Sequence, residues 1–408
     1  MHRREFLQAG AATIAAAAFA PQVWAQSASP AAKKLKVFAY SRHLQWLRTA
    51  DEVAEAVIEM GYGGVDITVR PYPGHIDPEK VATELPPFVA GLRKHGLLVE
   101  TIVCPINDAD SPNAESILRA ASSVGITHYW GGMLRYEPNE PVMQQLEALK
   151  PRMAKLAALT QKYKMTAMYH TYAGNQLVSS AVWDLLYVLR NSVDPARIGF
   201  HFDIGHMTNA GGANTWALNM RAAGPYIAGL SVKDSLFELN LPVDQGGPFK
   251  GTPASLNTGR GGGPPGGGRG PGGAPGGGAP GGAPAVAPGN APVAAAGGAP
   301  GAPGAGRGGP GGGRGGRGGD PGRGGGGQAN PWRVRQVPLG EGQVNLPMLA
   351  QVLKEINFAG PIEIQAEYPN GGADNAMEKI TLPRALVLGN MKKDRLTLEA
   401  VFGPAGLL

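Results

Sequence analysis

Eight short apolar runs alternate with longer amphipathic stretches along this chain, and that alternation limits the fold more than any other feature. The runs are KVFAY (36–40), GVDITV (64–69), LVETIV (98–103), THYWG (127–131), TAMYH (166–170), IGFHFD (198–203), IAGLSVKD (227–234) and PIEIQAE (361–367). Between them lie helical patterns such as ADEVAEAVIEM, MAKLAALTQKY and NLPMLAQVLKEI, the last with Asn345 placed as an N-cap. Strand–helix units in series imply a parallel sheet covered by helices, and eight of them close most simply into an α/β fold of the (β/α)8 barrel type. A doubly wound open sheet is the alternative. Against it, SRHLQWL rather than a glycine-rich phosphate loop follows the first run.

Two segments stand outside this pattern. Residues 2–8, HRREFLQ, are a twin-arginine run followed by the apolar AGAATIAAAAFAP and a small-residue exit at Val23-Trp24-Ala25. They read as a Tat-type signal peptide over residues 1–25, which makes the Tat export machinery a partner and the product periplasmic. From 251 to 330 the chain is almost entirely Gly, Pro and Ala, with six arginines against Asp320. Such a composition cannot bury enough apolar surface to offset ordering entropy, so a disordered low-complexity insert after strand seven is expected. The barrel then spans 26–250 and 331–408.

The net charge of +6 suggests nucleic acid until it is located. Most of the excess lies in the insert, the rest of the chain shows no basic face, and no nucleic-acid partner is expected; those arginines read first as part of a flexible insertion tolerated in a surface loop, with weak polyanion contact through the insert the sharper alternative. The lone Cys104 supports neither an internal disulfide nor a thiolate metal cluster and is expected in the core.

The stretch HFDIGH (201–206) puts ionisable groups where an unpaired charge is costly. Period-two alternation sends Phe200, Phe202 and Ile204 toward the helices and leaves His201 and Asp203 facing the barrel interior, with Asp203 at the C-terminal, catalytic end. A turn at Gly205 is expected to fold His206 back over that mouth. The same parity brings His170 to the end of strand five, Ser231 and Lys233 inward on strand seven, and Glu363, Gln365 and Glu367 inward on the last strand. Strand two contributes Asp66, Thr68 and Arg70.

Singly, each residue has an ordinary structural explanation: Asp203 can pair with Lys233, His206 can cap a loop, and His201 can be a hydrogen-bonded interior group. Jointly, two carboxylates and two imidazoles from separate strand ends suit Mn²⁺, Mg²⁺, Co²⁺ or Zn²⁺. The motifs GYGGVDI, YHTYAGN, FDIGH, SVKDS and VPLGEGQVNLPMLAQVLKEINFAGPIEIQAEY carry a further signal. In these the chain resembles the xylose isomerase-like TIM-barrel superfamily, in its sugar phosphate isomerase/epimerase branch.

The resemblance implies a divalent-metal-dependent sugar isomerase or epimerase, or a related lyase on keto-sugars, acting through an enediolate. Asp203 and Glu367 fall at ligand positions, while His170 stands where a Glu is usual and Ser231 where a His is usual. It further implies His170 as ligand or base, Glu367 and Lys233 in catalysis, and His206, Asp66 and Arg70 on the sugar substrate. An apurinic endonuclease of similar fold would need a richer set of histidines and acids. A non-catalytic periplasmic carbohydrate-binding barrel accommodates the substituted ligands.

If the export reading holds, replacing Arg3 and Arg4 by lysine leaves the full chain in the cytoplasmic fraction, whereas the wild type fractionates with the periplasm; unchanged fractionation of the variant would refute it.

Overall fold

The computed structural model describes residues 34–174, 176–190, 192–212, 215–239, 332–369 and 377–408. The expected signal peptide and insert fall outside the described residues. One unit comprises Met1–Asn257 and Gly325–Leu408 and contains the barrel; a second, Thr258–Gly324, lies outside the described residues.

Eight parallel strands form a closed barrel: β1 (Val37–Tyr40), β2 (Gly64–Thr68), β3 (Thr101–Cys104), β4 (His128–Gly131), β5 (Thr166–His170), β6 (Ile198–Asp203), β7 (Ile227–Val232) and β10 (Ile362–Ile364), with β10 closing between β7 and β1. Helices α1 (Ala50–Glu59), α2 (Val81–Lys94), α3 (Ala114–Ser123), α4 (Val142–Lys162), α5 (Trp183–Leu189), α6 (Ile204–Gly211), α7 (Thr215–Ala223), α8 (Leu346–Glu355) and α9 (Arg384–Phe402) alternate with them. The expected Asn345 cap is present, its side chain accepting from Met348 N at 2.9 Å. Among the described residues no helix is long and apolar enough to cross a membrane.

Strand parity divides the interior from the shell. Phe200, Phe202, Ile362 and Ile364 join the large apolar layer between strands and helices. Inside the barrel, the buried apolar cluster is confined to Tyr40, Val103, Trp130 and Met168. The neighbouring inward positions hold Asp66, His201, Ser231, Glu363 and Gln365, all buried. His201 fits because it is paired in register with Gly229, where an added Cβ would stand 2.8 Å from the imidazole.

The sequence runs strand seven through Asp234, but the backbone breaks after Val232. An antiparallel ribbon follows, β8 (Asp234–Leu239) against β9 (Trp332–Val337), in register from Asp234↔Val337. Glu238 on β8 is held by Arg333 and Arg335 on β9. The two halves are separated by residues 240–331, so no local hairpin spacing announces the pairing.

At the root of the ribbon the Asp234 carboxylate accepts from the backbone amides of Gly340, Gly342 and Val344 at 3.0 Å each, and from Ser235 N at 2.8 Å. The PLGEG segment is therefore wound around Asp234, and a Cβ at position 342 would collide with its Oδ1. Asp234→Asn replaces an acceptor oxygen by a donor and should lower unfolding free energy by roughly 2–3 kcal/mol. Urea unfolding is the measurement, and an unchanged midpoint would remove Asp234 as the anchor of this loop.

Candidate active site

At the C-terminal end of β7 the Lys233 side chain is buried with its ammonium among acceptors from three elements. Nζ lies 3.0 Å from Asp203 Oδ2, 2.9 Å from Glu367 Oε2, 2.9 Å from His206 Nε2 and 3.2 Å from Gln365 Oε1. Three N–H donors thus face four acceptors. Gly205 makes this possible. It lies within α6 rather than in a turn, and a Cβ there would stand 2.5 Å from Lys233 Cγ, so the lysine stem passes over its bare α-carbon. His206 is brought over the mouth by the helix itself, whose N-cap is Asp203: Oδ1 accepts from His206 N at 2.7 Å.

The charges follow from this packing. Burial opposes ionisation of Asp203, but Lys233, His206 and His170 hold its carboxyl well below the usual range. Burial also disfavours the Glu367 carboxylate, yet Lys233 draws its pKa down to about 2. Lys233 would be lowered by burial alone and is instead raised by Asp203 and Glu367. Burial, then the adjacent ammonium, lower His206 to about 3. Its Nε2 therefore accepts from Lys233, and the ring proton belongs on Nδ1.

A stack of aromatic and imidazole rings supports the cluster from within the barrel. His170 Nε2 is 3.2 Å from Asp203 Oδ2, and its Nδ1 is 3.0 Å from His201 Nδ1. Asp203 Oδ2 itself accepts no hydrogen bond in this structure. His201 stacks on Trp130 at 4.5 Å, and Trp130 Nε1 donates to Asp66. Burial raises Asp66 to about 6; burial and the neighbouring Asp66 push Glu363 well above its ordinary range.

Above the cluster opens a cavity of about 220 Å³ lined by Arg42, Arg70, Asn107, Trp130, Tyr172, His170, His206, Lys233 and Glu367 among others. His170, Asp203, Lys233 and Glu367 thus converge as strand parity predicts, His206 joins them through α6 rather than through the expected turn, and Arg70 reaches the wall. Asp66 does not line the cavity. It is one layer deeper, fully buried, and accepts from the Trp130 indole. Arg42 and Tyr172 went unrecognised in the sequence. Each follows a strand end within two residues, in SRHLQWL and YHTYAGN, and that position is the only signal either carries.

His170, Asp203 and His206 offer ligand atoms within 4.8 Å of one another, a group with the chemistry of a divalent-ion site. Glu367, expected among the ligands, is engaged by Lys233 instead. Lys233 contests this set with a resident ion. The ammonium takes His206 Nε2 at 2.9 Å and stands 3.0 Å from Asp203 Oδ2, an oxygen that accepts no hydrogen bond in this structure, while His170 Nδ1 is paired with His201. A divalent ion about 4 Å from an ammonium is repelled by roughly 8 kcal/mol at an effective dielectric near 20.

A family model described as Xylose isomerase-like TIM barrel matches residues 54–257, half of the chain. No curated protein matches it in sequence. Among solved structures, D-psicose 3-epimerase from Clostridium cellulolyticum H10, determined with D-tagatose, is similar with a TM-score of 0.53 and 11% identity, covering 90% of this chain and 99% of its own. An IOLI protein with a bound zinc atom gives 0.52 at 10% identity, over 90% and 99%. A D-tagatose 3-epimerase-like protein gives 0.50 at 11%, over 91% and 99%. At these identities the likeness is one of fold.

The neutral His206 ring has a consequence for stability. An unfolded chain takes up this proton near pH 6.5, whereas the folded site refuses it down to about 3. Between those values acidification favours unfolding, so stability is lost as pH falls through the window. Melting temperatures from pH 7.5 to 4.5 should fall more steeply for the wild type than for His206→Gln. Parallel curves would mean that the ring is not held neutral.

Proposed function

We propose that this chain, which belongs to the xylose isomerase-like TIM-barrel family, is a sugar isomerase or epimerase that moves a proton α to a carbonyl. The observation that carries this reading is the charge distribution of the cavity wall. Three cations, Arg42, Arg70 and Lys233, face it together with one carboxylate, Glu367. Such a wall suits a substrate that is neutral on entry and becomes an enediolate during reaction, because fixed positive charge then acts on charge that develops only in the transition state.

In this reading Glu367 takes the α-proton, and the electron pair of the broken C–H bond moves to the carbonyl oxygen, where Arg42, Arg70 and Lys233 stabilise it. His206 holds a substrate hydroxyl through its Nδ1 proton, and Trp130 and Tyr172 supply faces for the sugar ring. Return of the proton to the former carbonyl carbon, with the hydroxyl proton passing to the enediolate oxygen as the new C=O forms, isomerises the sugar; return to the opposite face of the original carbon, with the carbonyl re-formed in place, epimerises it. No step is assigned to a metal. The twin-arginine run at Arg3 and Arg4 supports a periplasmic setting.

One observation favours a second reading, a carbohydrate-binding barrel without chemistry: a carboxylate drawn down to about 2 is a weak base. Solvent-deuterium exchange separates the two. In deuterated buffer, NMR of a panel of ketoses and keto-sugars should show loss of one α-proton signal with the wild type. Glu367→Gln should cut the rate by about 10² or more with binding retained. Binding of a panel sugar without exchange by the wild type would establish the second reading and remove the first.

A further inference from the structure

We infer that the chain's own Lys233 ammonium fills the cation position among Asp203, Glu367, His206 and Gln365, so that this barrel holds no resident divalent ion there. Four observations meet on the point. The ammonium is buried and lies within 3.2 Å of an acceptor on each of these residues. Asp203 Oδ2, the oxygen that faces His170 and Lys233 together, is the atom that a metal held by the His170–Asp203–His206 group would need.

His170 Nδ1 is paired with His201 Nδ1 at 3.0 Å, and its Nε2 stands 3.2 Å from Asp203 Oδ2, so with His201 as the donor it turns an N–H rather than a lone pair toward the cluster. The fourth observation is steric. Gly205 gives the lysine stem a path that any other side chain would close, with Cγ 2.5 Å from the position of an added Cβ. The position is thus shaped for an organic cation on a tether. Unlike a bound ion, that cation does not dissociate and needs no metal supply.

A second consequence is sharper. Removing the ammonium leaves two carboxylates, the His206 imidazole and the Gln365 carbonyl around a vacated position, a donor set that suits a divalent metal. The wild type should therefore be metal-free, and a lysine-deleted variant should become a metalloprotein. Only the catalytic meaning of this inference rests on the proposed isomerase reading; the metal balance is independent of turnover.

The test uses the full chain, dialysed against EDTA and then titrated with Zn²⁺ and with Mn²⁺, with bound metal measured by elemental analysis and calorimetry. The wild type is expected to retain far less than one ion per chain and to show no change in melting temperature on chelation. Lys233→Ala is expected to take up about one Zn²⁺ per chain, with affinity at least on the order of 100-fold above wild type, and Lys233→Ala combined with Asp203→Asn to lose it. Lys233→Met, which keeps the stem volume, replaces the alanine variant if that fails to fold; the wild-type measurement needs no variant.

A stoichiometric ion in the wild type that Asp203→Asn removes would overturn the inference, as would a folded Lys233 variant that gains no metal. Deuterium exchange that is abolished by EDTA and restored by Mn²⁺ or Zn²⁺ would also refute it while leaving the isomerase reading standing. Absence of any sugar exchange, with the metal pattern as expected, would refute the isomerase reading alone.

Discussion

The site depends on one buried ion pair, Lys233 with Asp203. A carboxylate at the end of β6 has no access to solvent, and the ammonium 3.0 Å away is what allows it to stay ionised. Glu367 is held by the same nitrogen, and His206 is kept neutral by it. Removing the lysine would leave two uncompensated carboxylates beneath the cavity. The glycine at 205 and the N-cap role of Asp203 follow from the same demand, because both bring the start of α6 close against the lysine.

Beneath that pair the barrel interior is unusually polar for a packed core. Only a small apolar cluster separates the mouth from the carboxyl groups of Asp66 and Glu363. These two titrate upward, opposite to Asp203 and Glu367, because burial acts on them without a cation in contact. The interior therefore holds one layer of ionised carboxylates neutralised by Lys233 and a deeper layer that favours its protons. Trp130 links them, stacking on His201 above and donating to Asp66 below.

The motifs that read most strongly as functional divide between chemistry and architecture. In SVKDS, Lys233 points into the site while its neighbour Asp234 points away and receives four backbone amides. PLGEG supplies two of those amides, from Gly340 and Gly342, and Val344 just beyond it supplies a third. Its glycines serve close approach to a carboxylate, not contact with a substrate. Adjacent residues with opposite parity thus carry opposite duties, and a motif that spans both cannot be assigned to one.

By itself the sequence determined the barrel, the inward parity of His201, Asp203, Ser231, Lys233, Glu363 and Gln365, and the gathering of His170, Asp203, His206, Lys233 and Glu367 at one mouth. Strand alternation and the βα repeat are local periodicities, and local periodicities are legible in one dimension. Tertiary structure alone decided which of those groups touch. That Lys233 stands between Asp203 and Glu367, that Asp66 lies a layer too deep to meet the cavity, that Arg42 and Tyr172 reach its wall, and that β8 finds β9 across residues 240–331 are distances between segments far apart in the chain. Residue type sets which contacts are chemically sensible, but only barrel closure, with its particular register between neighbouring strands, sets which of them form.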